Sequence, residues 1–100
     1  MPPSSEYELL LGERPHRQAG ILAQEAQGET VLLRLADGGY YALDEVGATI
    51  WDLCDGSHPV AEIVAILTAR FDAPEPTVQA DVLEFIGDLH RERLLVVDAA

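Results

Sequence analysis

The chain has 100 residues, the length of one domain, and hydrophobic residues make up 48% of it, enough for one modest core. Its 18 acidic residues face six arginines and no lysine, which gives a formal net charge of −12. Because affinity for nucleic acids comes largely from Lys and Arg that neutralise phosphates, this charge argues against a nucleic acid partner and against an anionic membrane surface.

The sequence predicts a cytoplasmic protein. Its single cysteine, Cys54, cannot form an internal disulfide, and the N-terminal residues lack the basic start and apolar run of a signal peptide. No apolar stretch approaches the ~18 residues that a membrane span needs. Residues 1–15 begin with a Pro- and Ser-rich run and are expected to be flexible or weakly ordered, and the domain is expected over residues 16–97.

The first part of that domain predicts a three-stranded antiparallel meander. The segment 16–26 is a weak strand candidate, and Gly28-Glu29 breaks it. The apolar and β-branched run Thr30–Leu35 is a stronger candidate. Asp37-Gly38-Gly39 is a strong hairpin signal, so Tyr40–Leu43 is expected to return as the third strand, at an edge of the sheet.

From Asp44 onward the apolar residues recur at helical spacing. Asp44 suits the N-cap of a first helix that ends at Asp55-Gly56, and Pro59 suits the first position of a second helix. A third helix is expected from about Pro76 to Arg91, followed by a short closing strand or extended tail at Leu94–Val97. This order predicts an α+β domain that resembles a winged helix-turn-helix, with an N-terminal three-stranded sheet followed by three helices.

The third helix is predicted to have two unlike faces. At ~100° per residue, one stripe of apolar side chains faces the core. Its members are Val78, Val82, Phe85, Ile86 and Leu89. Asp81, Glu84 and Asp88 form an acidic flank. The opposite flank carries Gln79, Ala80, Leu83, Gly87 and His90. A glycine inside a helix costs ~1 kcal/mol relative to Ala, so Gly87 calls for an explanation. Small residues on a helix face let another backbone approach closely, and the flank is therefore interpreted as a shallow apolar trough. Packing of the flank against the sheet or the first helix is an equal alternative on pattern alone.

The residue pattern predicts no catalytic or metal site. The three histidines lie in different elements without metal-ligand spacing, and one cysteine cannot build a Cys-rich zinc site. Cys54 lies near Asp52 and Asp55, a setting that does not lower a thiol pKa, so a buried core thiol is expected rather than a nucleophile. We therefore expect no enzyme activity, no metal and no cofactor.

Two stretches, YYALDEVGATIWDLCDGSHPVAEIVAIL and DVLEFIGDLHRERLL, resemble the coenzyme PQQ synthesis protein D family. This family is also called the RiPP precursor peptide recognition element, where RiPPs are ribosomally made and post-translationally modified peptides. The resemblance runs from about His16 to Val97. Its most specific parts are Leu43-Asp44, Asp55-Gly56, Glu62-Ile63, Asp81-Val82, Leu89 and Leu94-Leu95. Asp44 stands where the family often has Asn, and Pro59 stands where a Thr often opens a capping box with Glu62.

The resemblance implies a protein that binds no DNA and holds the leader segment of a precursor peptide for a modifying enzyme. In the family, the leader adds as a strand to the free edge of the third strand and lies against the third helix. An exposed sheet edge is a template for such an added strand. The residues expected to contact the peptide are Gly39, Tyr40, Tyr41, Ala42, Leu43, Gln79, Ala80, Leu83, Ile86, Gly87 and His90. Alternation places Tyr40 and Ala42 on one face of the strand and Tyr41 and Leu43 on the other, and the sequence leaves open which pair faces the peptide.

We predict a stand-alone leader-peptide-binding protein without catalysis of its own. Lasso peptide maturation, with a leader peptidase and a cyclase as partners, is slightly favoured over a PqqD-type peptide chaperone for a radical SAM enzyme. The alternatives from other classes are an enzyme subunit with a hidden site and a helix-turn-helix transcriptional regulator. The regulator is disfavoured by the net charge and by the lack of Lys or Arg from Asp72 to His90. An open edge could also pair with its own copy, so both a monomer and an edge-paired dimer are compatible with the sequence.

Overall fold

A computed structural model describes residues 11–97 of the chain. Its strands are β1 (His16–Arg17), β2 (Ile21–Ala26), β3 (Glu29–Arg34), β4 (Tyr40–Leu43) and β5 (Leu95–Val96). Its helices are α1 (Glu45–Leu53), α2 (Val60–Phe71) and α3 (Glu75–Arg91), all between β4 and β5. This arrangement confirms the predicted α+β class with an antiparallel sheet followed by three helices.

The sheet is a meander in the order β2-β3-β4. In its register Leu32 of β3 lies opposite Ala23 of β2 and Tyr41 of β4. The turns on either side of β3 use Gly28 and Gly38, whose φ angles are +82° and +75°. Other residues adopt this left-handed conformation only at a cost of roughly 1–2 kcal/mol, so these glycines fix where β3 begins and ends.

The segment 16–26, predicted as one strand, is two. His16–Arg17 pairs with β5 in a separate two-stranded ribbon, and β2 begins only at Ile21. Gly20, with a φ of +81°, interrupts the extended conformation between them. The Gln18 N–H donates to the Leu94 carbonyl at 3.0 Å, which draws the first part towards the C-terminal strand. The predicted closing strand therefore forms, and β1 is its partner.

Residues 13–15, inside the segment expected to be weakly ordered, contact the helical part. Pro15 is buried, and its carbonyl accepts a hydrogen bond from the Gly56 N–H at 3.0 Å. The Glu13 carbonyl accepts from the Val60 N–H at 2.9 Å, at the start of α2, where the N-cap Pro59 has no side-chain bond to offer. Residues 1–10 lie outside the described part of the chain, and the predicted boundary at residue 16 stays a prediction.

One core joins the inner face of the sheet to all three helices. Its fully buried side chains include Leu32 and Leu43 from the sheet and residues from every helix. The helical members with 0–1% exposure are Ile50, Val60, Ile63, Leu67, Val82, Ile86 and Leu89. Trp51 also belongs to this core at 4% exposure, and the Arg17 guanidinium lies 5.9 Å from its ring centroid.

The N-terminus of α1 forms as the sequence predicts. The Asp44 side chain accepts a hydrogen bond from the Gly47 N–H at 2.8 Å and satisfies one of the free donors of the first turn. Gly47 is buried, and a Cβ at this position would lie 3.0 Å from Phe85 Cε1. The missing side chain therefore allows close contact between α1 and α3.

Replacing the cap should destabilise the domain measurably. Asp44→Ala is expected to lower the free energy of unfolding by about 1 kcal/mol, a fall in Tm of roughly 4–8 °C for a domain of this size, because the first turn loses its acceptor. Asp44→Asn, which keeps an acceptor, should recover most of the loss. Asp81→Ala removes the same charge from an exposed α3 position without a hydrogen-bond partner among the described residues. Equal Tm values for Asp44→Ala and Asp81→Ala in thermal denaturation would contradict the capping role.

Candidate functional site

The outer edge of β4 carries peptide groups that face away from the sheet. The Arg34 N–H donates to the Gly39 carbonyl at 2.7 Å, so the residue before β4 is hydrogen-bonded to β3. Bonded and non-bonded pairs alternate along an antiparallel ladder. The register therefore directs the peptide groups of Tyr41 towards β3 and those of Tyr40 and Ala42 outwards. Within residues 11–97, β4 has no strand on that outer side.

The side chains of β4 alternate between solvent and core. Tyr40 is 76% exposed and Ala42 is exposed, whereas Leu43 is 2% exposed and Tyr41 packs against the core. Tyr41 and Leu43 are thus the pair on the helical side of the sheet. A strand added at this edge would continue the apolar inner face that these two side chains begin.

Leu83 lies in the core, so its predicted position outside the core stripe of α3 is wrong. Its side chain is 4% exposed and belongs to the same cluster as Ile86, which is 0% exposed. α3 packs along α2, and on another side its Phe85 meets Gly47 of α1. A helix covered from two sides buries more than one stripe, and Leu83 falls in the additional part. Whether Leu83 and Ile86 contact a peptide stays a prediction.

The rest of the predicted α3 flank is at the surface. Ala80 and His90 are exposed, and Gln79 and Gly87 are half-buried. A Cβ at Gly87 would fit without a clash and would meet Arg91 Nη1 at an ordinary contact distance of 3.6 Å. The Arg91 guanidinium pairs with the Asp88 carboxylate, and its side chain remains 71% exposed. A guest backbone that approached Gly87 closely would therefore lie beside the Arg91 side chain.

A cavity of about 620 Å³ opens where the β3–β4 hairpin meets the C-terminal end of α3. The turn before β2 closes its third side. Its charged and titratable lining residues are Arg34, Asp37, His90, Arg91, Glu92 and Arg93. His90 is the one predicted site residue in this lining, and the arginines around it are functional candidates that the sequence reasoning missed. A usable signal was present for Arg34, because alternation from Leu32 places it on the inner face of β3.

Arg34 ties the hairpin to α3. Its Nε donates to the Asp37 carboxylate at 2.8 Å, and its Nη1 donates to the Glu92 carbonyl, 58 residues away. The hydrogen bonds from Arg34 and from the Gly39 N–H hold the pKa of Asp37 below its ordinary value. A Cβ on Gly39 would lie 2.6 Å from Arg34 Nη2, so a glycine here leaves room for the guanidinium.

The described residues contain few groups suited to catalysis. Cys54 is fully buried, and burial raises the pKa of its thiol to about 12, which keeps it protonated at neutral pH. Across residues 11–97, no three His, Cys, Asp or Glu side chains are grouped so that they could hold a metal ion. The helices in this part of the chain are too short or too polar to cross a membrane.

Sequence comparisons find one matching family and a set of small relatives. The family model described as coenzyme PQQ synthesis protein D (PqqD) matches residues 29–95. A PqqA binding protein from Xanthomonas axonopodis pv. citri (strain 306) is 33% identical over 82% of this chain and 89% of that protein. A PqqA binding protein from Xanthomonas campestris pv. campestris (strain 8004) is 31% identical over 81% of this chain and 88% of its own.

Three solved structures share the fold. TbiB1 in complex with the TbiA(beta) leader peptide has a TM-score of 0.72 and 32% identity, covering 80% of this chain and 93% of that one. The PqqD truncation of Methylobacterium extorquens PqqCD, a functional and stand-alone RiPP recognition element, has a TM-score of 0.68 and 27% identity, covering 82% and 87%. A lasso peptide synthetase B1 complexed with the leader peptide has a TM-score of 0.76 and 18% identity, covering 83% and 98%, and supports the fold alone.

The core position of Leu83 has a direct test. Leu83→Asp should lower the free energy of unfolding by at least about 3 kcal/mol, because a packed leucine is lost and a carboxylate is buried in its place. Ala80→Asp adds the same charge to an exposed position of the same helix and should leave the Tm nearly unchanged. Circular dichroism of both variants during heating makes the comparison. Equal stability of the two would show that Leu83 is not a core residue.

The Cys54 thiol should be protected by the fold. Because its pKa is raised to about 12, a disulfide reagent such as DTNB at pH 8 should react at least about a hundredfold more slowly with the native protein than with the urea-unfolded protein. Absorbance at the wavelength of the released thiolate follows both reactions. Similar rates in the two states would mean that Cys54 is accessible and ionisable in the folded domain.

Proposed function

This chain belongs to the coenzyme PQQ synthesis protein D family, and we propose that it binds the leader segment of a ribosomally made precursor peptide and presents it to a modifying enzyme. The observation that carries the proposal is the outer edge of β4, where the peptide groups of Tyr40 and Ala42 face away from β3. The relatives named PqqA binding protein and the leader complex of TbiB1 support a peptide as the ligand.

The leader is proposed to add as a fourth strand beside β4. Each outward residue offers one N–H donor and one carbonyl acceptor, and main-chain bonds of this kind tolerate many leader sequences. Side chains are proposed to provide the selectivity: Tyr41 and Leu43 on the inner face of the strand, and exposed or half-buried residues of α3. Ala80 and His90 are the exposed members of that helix flank, and Gln79 and Gly87 are half-buried.

The β4 edge is a better site for an added strand than the β2 edge at the other side of the sheet. Five of the six β2 residues are exposed, so a strand added there would find little apolar surface to cover. β4 has a buried residue, Leu43, and the partly buried Tyr41 on its inner face. Of the two edges of this sheet, β4 is therefore the one at which apolar burial and main-chain hydrogen bonds act together.

Lasso peptide maturation is the pathway we favour, with a leader peptidase and a cyclase as the enzymes that receive the peptide. TbiB1, which is 32% identical and was solved with a leader peptide, supports a leader as the ligand. The preference for the lasso pathway rests on the Gly38-Gly39-Tyr40-Tyr41 hairpin, which resembles lasso-type members of the family. A second candidate is a peptide chaperone for a radical SAM enzyme in PQQ synthesis, and the relatives named PqqA binding protein favour it. In both pathways the proposed protein acts by binding and performs no reaction itself. The genes beside this one distinguish them, since one pathway requires a peptidase and a cyclase and the other a radical SAM enzyme.

Edge addition predicts a specific effect of proline. Ala42→Pro removes an outward N–H without breaking a bond to β3, since proline is tolerated on an edge strand whose N–H faces solvent. The affinity for the leader peptide encoded beside this gene should fall at least about tenfold, because a main-chain donor is lost and the ring obstructs the added strand. Isothermal titration calorimetry measures the change.

The matched control is Ala23→Pro. By the same alternation, the N–H of Ala23 faces outwards at the β2 edge, so the variant makes an identical chemical change on the opposite side of the sheet. Its leader affinity should equal that of the unmodified protein. If Ala42→Pro binds as well as Ala23→Pro, the leader does not add to β4.

A further inference from the structure

The few cations of this acidic protein are concentrated in one place. Arg34, Arg91 and Arg93 line the cavity at the end of α3, and they are three of the six basic residues in a chain with a formal net charge of −12. We call this the arginine cavity. Asp37 and Glu92 also line it, so its lining carries three cations against two anions. The rest of the chain has 16 acidic residues against three arginines, so an anion meets less repulsion at this lining than the net charge of the protein alone would suggest.

Two of the three arginines use only some of their N–H groups in contacts within the domain. Arg34 donates one bond to Asp37 and one to the Glu92 carbonyl, although a guanidinium has five N–H groups. Arg91 pairs with Asp88 while most of its side chain stays in solvent. Each therefore retains N–H groups that could donate to a further carboxylate.

No contact within the described residues explains why position 93 is an arginine. Its side chain is exposed and forms no hydrogen bond or ion pair within residues 11–97. Its φ is +60°, a conformation after a helix end that favours glycine, so the backbone does not call for an arginine. Its contribution to the arginine cavity is charge and N–H donors.

The arginine cavity borders the proposed peptide site at two points. His90 lies in the cavity lining and on the predicted α3 flank. Gly39, which directly precedes β4, bonds to Arg34 through its carbonyl, and a Cβ on it would touch the guanidinium. A guest strand beside β4 that continues past Gly39 would pass the mouth of the arginine cavity. For an antiparallel guest, these are the residues that follow its paired segment.

We infer that the arginine cavity receives the carboxylate of an Asp or Glu side chain of the bound leader. Arginine suits this ligand because its planar N–H groups match the two oxygens of a carboxylate. The inference rests on the proposed function and adds selectivity to it. Main-chain hydrogen bonds at β4 can bind extended peptides of many sequences. The arginine cavity favours those with an acidic residue next to the segment that pairs with β4. The expected gain is about tenfold in affinity, close to the lower end of what a hydrogen bond to a charged group contributes.

The test combines variants of both partners. In the protein, Arg93→Gln and Arg91→Gln remove the accessible cations, and Arg70→Gln is the control, since it changes the net charge equally at an exposed α2 position outside the arginine cavity. In the leader peptide encoded beside this gene, each Asp is changed singly to Asn and each Glu to Gln. Calorimetry gives the affinity of every combination, and thermal denaturation confirms that the arginine variants stay folded.

Neutralising one acidic residue of the leader should lower the affinity of the leader for the protein about tenfold. Arg93→Gln or Arg91→Gln should lower the affinity for the unmodified leader by a similar factor. The loss from the leader variant and the loss from the protein variant should not add when the two are combined, because both remove the same interaction. Arg70→Gln should stay within about twofold. The inference is overturned if both cavity variants bind like Arg70→Gln, if the losses add fully, or if the leader that binds has no acidic residue. In each of those cases the leader still binds, whereas no binding to the unmodified protein would overturn the proposed function and this inference with it.

Discussion

The proposed function of this small domain depends on peptide groups that the sheet leaves without a neighbour. An antiparallel strand directs its N–H and carbonyl groups alternately to its two sides, and within the described residues β4 has a partner on one side only. The groups of Tyr40 and Ala42 therefore face solvent beside an apolar inner face. An extended peptide is the ligand that can satisfy these groups in register and cover that face at the same time.

The rest of the fold holds this edge in position. The Asp37-Gly38-Gly39 turn sets where β4 begins. Arg34 links that turn to the carbonyl of Glu92, the residue that follows α3. At the other end, Asp44 caps α1 directly after β4, so the strand passes into a helix without a flexible loop. Both ends of the edge are thus fixed by hydrogen bonds, and the groups available to a guest are arranged before it arrives. Such preorganisation reduces the entropy lost on binding.

Features with a local cause could be predicted from the sequence, and those with a distant cause could not. The hairpin turn and the Asp44 cap depend on neighbouring residues and form as predicted. The division of segment 16–26 depends on pairing with β5, nearly eighty residues away along the chain. The burial of Leu83 depends on α3 being covered from two sides, which a single helical pattern does not show. The arginine cavity joins three segments that are far apart in the chain, so no spacing rule reveals it.

Amide hydrogen exchange followed by NMR tests the central claim most directly. The amides of Tyr40 and Ala42 should exchange rapidly in the free protein and become protected when the leader peptide is added, because each then donates to the guest strand. The outward amides of Ala23 and Glu25 on the opposite edge should keep their rates. Protection that appears on β2 instead, or a saturating peptide that leaves the amides of Tyr40 and Ala42 unchanged, would contradict edge addition at β4.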